Sequence, residues 1–289
     1  MPIATILRLL LIITLCWGSQ AWAAPIPIVA AENFYGAIAA QLGGPYVQVT
    51  SLMSNPNQDP HLFSAAPSQA RVITDATIVV YNGIAYDPWM EKLLAVAQHE
   101  HPKTVLVVAQ LADKKLGDNP HIWYDPNIIA RYAQALTQAL IQQDPNHRAY
   151  YEKNLQQFNT QLQVLLQHMA QIKQHFQGTS IIATEPVFNA MADALGLVVH
   201  GQDFQLSVMN DIAPSPSQIK NFENDLRTHA VRVLIFNNQV VDPVTDRMQK
   251  LAVQMNIPVV GVSETQPADK DYVTWMDEQL TSLEKGLHP

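Results

Sequence analysis

The segment YEKNLQQFNTQLQVLLQHMAQIKQHF, residues 151–176, decides how the rest of the chain is read. Its apolar residues Tyr151, Leu155, Phe158, Leu162, Leu165, Met169, Ile172 and Phe176 follow one another in steps of 4, 3, 4, 3, 4, 3 and 4. Alternating threes and fours draw one stripe along a helix. Asp144-Pro145 before the segment supplies a capping residue and a first-turn proline, and Gln177-Gly178 after it supplies a glycine stop. The spacing therefore predicts one continuous helix over residues 144–177, about nine turns and about 50 Å long at 1.5 Å per residue. The same stripe would serve a self-pairing coiled coil, so its meaning depends on what flanks it.

On the amino-terminal side lie the short apolar runs PIPIVA, VQVTSLM, ATIVVY and KTVLVVA, and on the carboxyl-terminal side TSIIAT, LGLVVH, VRVLIF and IPVVGV. Runs rich in Val and Ile, separated by amphipathic stretches such as Trp89 to Gln98 and Asn127 to Gln142, are the pattern of parallel strands joined by crossover helices. The expected fold is α/β: an amino-terminal lobe over 24–143, a linking helix over 144–177 and a carboxyl-terminal lobe over 178–289, each lobe a mostly parallel sheet flanked by helices. No repeat, low-complexity tract or Gly/Ser linker separates the halves, so the helix is expected to join them stiffly.

The first residues carry one positive charge at Arg8, an apolar core from Leu9 to Leu15, and small residues Ala21 and Ala23 around Trp22. This reads as a secretory signal over 1–23, cut after Ala23, and predicts a periplasmic protein. Its apolar run falls short of the roughly 20 residues that span a bilayer. Lipid attachment at Cys16 is the lesser reading, because Leu15 before it suits that processing poorly. Cleavage removes Cys16, the only cysteine, so any metal must be held by nitrogen and oxygen. The chain has 17 Lys+Arg against 25 Asp+Glu, and loss of Arg8 leaves 16 against 25, a formal charge of −9. An acidic balance of this size argues against nucleic acid as a partner.

Two of the ten histidines share a context. Pro60-His61-Leu62-Phe63 and Pro120-His121-Ile122-Trp123 each place the ring after a proline and before an aliphatic and an aromatic residue. Proline restricts the local backbone, and the apolar pair can pack beneath the imidazole, so little further freedom is lost on metal ligation. His99, His101, His147, His168, His175, His229 and His288 lie in polar surroundings and read as solvated surface, while His200 reads as a hydrogen-bonded structural residue. In the second half Glu185 follows the run SIIAT and Glu264 follows PVVGV. Both belong at the carboxyl ends of strands, where ligands collect in open parallel sheets. Two neutral imidazoles and two carboxylates balance the charge of a dication. A catalytic zinc would leave a coordination position open beside a general base, and no HExxH or similar helix-borne pair occurs, so an enzyme is not expected.

From about Ile28 to Trp275 the chain resembles the metal-binding receptors of bacterial ABC importers for zinc and manganese, the cluster A-I solute-binding proteins. The resemblance rests on AAENFYGAIAAQLGG, on NPNQDPHLFSAAPSQARVITDATIVVYNG around His61, on NPHIWYDP around His121, on ATEPVFNAMADALGL around Glu185 and on VVGVSET around Glu264. It implies two α/β lobes bridged by a long helix, with one transported divalent metal, zinc or manganese, in the cleft. It also implies delivery to an ABC permease coupled to a cytoplasmic ATPase, by a monomeric receptor. His61 and His121 match the two histidine positions of the first lobe. Glu185 matches a position that is commonly His in zinc-type members and Glu in several manganese-type ones. Glu264 stands where the family usually has Asp, with Asp269 and Asp271 close by. The loop LADKKLGDN before His121 lacks the histidine-rich insertion of many zinc receptors. Glu185 and this short loop lean toward manganese, whereas intrinsic affinity leans toward zinc.

Overall fold

The structure, a computed structural model, describes residues 24–55, 63, 66–97 and 102–288. The expected signal segment and His61 lie outside these residues, as do His99 and His101.

Among the described residues each apolar run forms a strand. The first lobe has β1 (Ile26–Glu32), β2 (Val47–Met53), β3 (Ile78–Tyr81) and β4 (Thr104–Val107). The second has β5 (Ser180–Ala183), β6 (Val198–His200), β7 (Leu234–Asn237) and β8 (Val259–Val262). All pairings are parallel, in the orders β2-β1-β3-β4 and β6-β5-β7-β8. The helices of the first lobe are α1 (Asn33–Gly43), α2 (Pro67–Asp75), α3 (Pro88–Val96), α4 (Val108–Leu111) and α5 (Pro126–Gln143). The long helix is α6 (Arg148–Phe176), followed by α7 (Asn189–Leu195), α8 (Gln202–Met209), α9 (Pro216–Arg227), α10 (Pro243–Gln254) and α11 (Tyr272–Leu287). None of them is long and apolar enough to cross a membrane.

The shared strand order has a positional consequence. In each sheet the chain leaves the first strand toward one edge and returns to build on the other side, so the order reverses between β1 and β3 and again between β5 and β7. Crevices open at the carboxyl ends of strands at such reversals. Glu32 and Asn82 sit there in the first lobe, Glu185 and Asn237 in the second.

The long helix begins differently from the sequence expectation. Pro145–His147 form a 3-10 turn and regular α-helix starts at Arg148. The Asp144 carboxylate is taken by the Tyr151 hydroxyl, which donates at 2.8 Å, and by His147 Nδ1, and no backbone N–H of α6 is capped by it. The α-helical part has 29 residues and is about 43 Å long at 1.5 Å per residue. Its buried residues are Tyr151, Leu155, Phe158, Leu162, Leu165, Met169 and Ile172, the stripe read from the sequence up to Phe176, which is half-buried. This stripe lies in one core that contains Ile28 and Ala30 of β1 as well as Ile181 of β5 and Leu283 of α11. The outward faces have separate cores: Val29 and Ala31 pack with α2 and α3, and Ile182 packs with α9 and α10. The helix thus joins the inner faces of both sheets, with no internal Gly or Pro at which to bend.

His168 corrects the reading of the surface histidines. It is largely covered, with Nδ1 2.7 Å from Asp277 and Nε2 3.3 Å from Glu284, both on α11. Burial alone would lower its pKa, but hydrogen bonds and attraction from the two carboxylates outweigh this and raise it. His168 is a clasp between α6 and α11. His200 has the structural role expected of it, with Asp225 at 3.0 Å from Nδ1 and Ser180 at 3.2 Å from Nε2.

Candidate metal centre

His121 is fully buried between Pro120 and the 3-10 turn Ile122–Tyr124. Its ring meets Trp123 and Tyr86 edge-on, at centroid distances of 5.3 and 5.9 Å. Asn119 fixes which nitrogen faces the crevice. The Asn119 Nδ2 donates to Pro186 O at 2.8 Å, so its Oδ1 is the atom that accepts from His121 N (3.0 Å) and from Nδ1 (2.8 Å). Nδ1 therefore carries a proton, which leaves Nε2 as the nitrogen through which the ring can ligate a metal.

Glu264 enters from the other lobe, just beyond β8, and is also fully buried. Its Oε2 lies 3.6 Å from His121 Nε2 and accepts from the Tyr86 hydroxyl at 3.0 Å. In a tetrahedral zinc site with ligand bonds of about 2.0–2.2 Å, two ligand atoms stand about 3.3–3.6 Å apart. The observed separation fits one ion between these atoms. Burial, together with the nearby Glu264 charge, pushes the Tyr86 phenol well above its ordinary pKa, so it is a neutral donor to the carboxylate.

Glu185 is buried at the exit of β5, directly before the 3-10 turn Pro186–Phe188. The Asn119 to Pro186 hydrogen bond ties its backbone to the His121 loop. Of the four residues expected in the site, the structure brings His121 and Glu264 into contact, buries Glu185 beside Pro186, the residue bonded to the His121 loop, and leaves His61 outside the described residues. No three His, Cys, Asp or Glu side chains among the described residues converge closely enough to hold an ion by themselves. Asp269 and Asp271 are exposed, and Asp271 caps α11 by accepting from Thr274 N at 2.8 Å.

Several supporting residues were not singled out in the sequence. Behind His121, Glu32 faces Asp87, and both are buried. Burial, then the charge of Asp87, raises the Glu32 pKa well above the usual value, and burial pushes Asp87 up to about 6. A proton on one of the two relieves the repulsion between them. Asp87 accepts from Asn82 N (2.6 Å) and Gly83 N (2.8 Å), and Asn82 Nδ2 donates to Pro120 O at 3.0 Å, one residue from His121. On the Glu264 side, Gln239 Oε1 accepts from the backbone N–H groups of Glu264 (2.5 Å) and Thr265 (3.1 Å). Gln279 Oε1 accepts from Ser263 N at 3.0 Å. An Asn or Gln whose partners lie far away in sequence leaves little local signal, although Asn119 two residues before His121 and the run NNQ at the end of β7 are visible once the geometry is known.

The lobes are fastened around this centre. The Tyr124 hydroxyl donates to Ser263 O (2.7 Å), the Tyr272 hydroxyl to Trp123 O (2.7 Å), and Asn33 exchanges two hydrogen bonds with the backbone of Gln266 (2.7 and 3.1 Å). Trp123 stacks on Phe34 at 4.7 Å, and Tyr124 meets Trp275 of α11 at 6.1 Å, an aromatic contact between the lobes.

The family described as ZnuA, zinc-uptake complex component A periplasmic, matches residues 28–286. The manganese ABC transporter substrate-binding lipoprotein PsaA of Streptococcus anginosus is 23% identical over 285 residues, 91% of this chain and 89% of that protein. A crystal structure of ZnuA shares the fold with a TM-score of 0.73 at 22% identity, covering 91% of this chain and 100% of the other. The periplasmic zinc-binding protein TroA from Treponema pallidum does so with a TM-score of 0.77 at 14% identity, covering 92% and 100%. With the family matched over nearly the whole chain, the protein belongs to the ZnuA family of periplasmic metal-uptake components.

Proposed function

We propose that this protein captures one divalent transition metal, zinc or manganese, between its lobes through His61, His121, Glu185 and Glu264, and hands it to the permease of an ABC importer driven by a cytoplasmic ATPase. The observation that carries the reading is the buried contact of 3.6 Å between His121 Nε2 and Glu264 Oε2, contributed by opposite lobes. Two imidazoles and two carboxylates neutralise a dication without sulfur, which suits zinc, manganese and iron alike. The protein is a binding component of an uptake system and not an enzyme. It acts as a monomer outside the cytoplasm, after removal of residues 1–23 or, in the lesser reading, anchored by a lipid on Cys16.

The test is a metal count by mass spectrometry on purified protein, followed by calorimetric titration of metal-free protein. One ion per chain is expected, with affinity lowered by orders of magnitude in His121→Ala while the circular dichroism spectrum is kept. Full-strength binding by folded His121→Ala would sink the assignment.

A further inference from the structure

The two oxygens of Glu264 are treated differently. Oε2 faces Tyr86 and His121, at 3.0 and 3.6 Å, whereas Oε1 accepts from Asn237 Nδ2 at 2.7 Å. The orientation of the Asn237 amide is itself fixed, because its Oδ1 accepts from Gln239 N at 3.1 Å, which leaves Nδ2 to donate to Glu264. Asn237 is buried, ends β7, and is registered opposite Val262 of β8, so its position comes from the sheet ladder. Gln239, two residues further on, holds the main chain of Glu264 through that residue's own N–H. The plane of the carboxylate and the oxygen it offers to the crevice are therefore set by groups that are already in place.

We propose that Asn237 is a specificity-determining residue: by holding Oε1 of Glu264 it confines this carboxylate to one-oxygen ligation through Oε2, and so favours four-coordinate zinc over manganese. The proposal rests on Glu264 being a ligand, as put forward above. Zinc is satisfied by four ligand atoms in a tetrahedron, whereas manganese keeps company with the ions of octahedral oxygen sites. A carboxylate able to turn both oxygens toward the ion adds a ligand atom, and the Asn237 hydrogen bond opposes that turn. A hydrogen bond to a charged acceptor is among the stronger ones a buried side chain makes.

Metal-free wild type, Asn237→Leu and Glu264→Ala are each titrated with zinc and with manganese, and X-ray absorption is recorded on zinc-loaded wild type. Asn237→Leu keeps the volume and removes the donor. The wild type is expected to show four nitrogen and oxygen neighbours around zinc, and Asn237→Leu to narrow the zinc-to-manganese affinity ratio by roughly tenfold or more, the scale of one hydrogen bond to a charged group. Loss of binding in Glu264→Ala together with an unchanged ratio in Asn237→Leu would overturn the role of Asn237 and leave the site standing. Full binding in Glu264→Ala would remove the site reading and this inference with it. If Asn237→Leu fails to fold, the absorption measurement still decides: five or six neighbours around zinc in the wild type would overturn the proposal.

Discussion

The two lobes share a strand order, yet they hold their parts of the crevice by unlike means. In the first lobe His121 is set by proline, by the rings of Trp123 and Tyr86, and by Asn119. In the second, Glu264 is set by the amides of Asn237 and Gln239, with the Gln279 amide on Ser263 beside it. The difference follows from what each ligand must present. An imidazole has one lone pair in one tautomer, so ring packing and a single acceptor on Nδ1 suffice. A carboxylate has two equivalent oxygens, and choosing between them takes a donor that turns one toward its own lobe and leaves the other toward His121.

Removing the metal is the most forceful way to break this comparison. Metal at about a thousand times its dissociation constant should add about 4 kcal/mol to the stability of the wild type, and His121→Ala should lose most of that gain in thermal melts with and without metal. If the two proteins gain equally, ring orientation in the first lobe is irrelevant to binding.

Asn119 sharpens the contrast, because it acts on the histidine without touching the crevice ion. Supporting partners of ligand histidines are typically worth about 10–100-fold in metal affinity, and Asn119→Ala should fall in that range. Asn119→Asp keeps the acceptor for His121 but turns the donor to Pro186 into a charged oxygen that its carbonyl repels, so calorimetry should rank it between the wild type and Asn119→Ala.

The smallest expected effect concerns the buried acids of the first lobe, which have no counterpart among the amides of the second. Both carboxyls have folded-state pKa values raised above their ordinary values, Asp87 to about 6 and Glu32 well upward. Their contribution to stability is therefore fully present below the unfolded carboxyl range and is lost as pH rises through the folded values. Glu32→Gln cannot release a proton there, so melts of metal-free protein from about pH 5 to 9 should show a shallower decline than the wild type. An identical decline would show that Glu32 does not hold the proton.

Much of this architecture was legible in the sequence, for physical reasons. Strands such as Ile78–Tyr81 are covered on both faces and so must be apolar without a break, and the spine must keep a 3-4 rhythm because one face packs along its whole length. The strand exits pointed to Glu185 and Glu264, and the matched Pro-His contexts to His61 and His121; of these, His121 and Glu264 lie in contact and His61 lies outside the described residues. Less was legible where tertiary contacts overrule local signals. Asp144 looks like an N-cap but is engaged by Tyr151 and His147, and His168 looks exposed until α11 brings Asp277 and Glu284 to its ring. Asn237 reaches Glu264 across 27 residues, a distance at which an amide leaves no pattern in the chain.

The core shared through the spine has a consequence for how the molecule is made. Tyr151 to Ile172 complete the inner faces of both sheets at once, so neither half closes its interior without this helix. A fragment ending near residue 143 would leave the apolar inner face of α5 and β1 open to water, and one beginning near residue 178 would do the same to α11. The two lobes thus share one core through this helix, and the first cannot close its interior until the chain has been made to about residue 176.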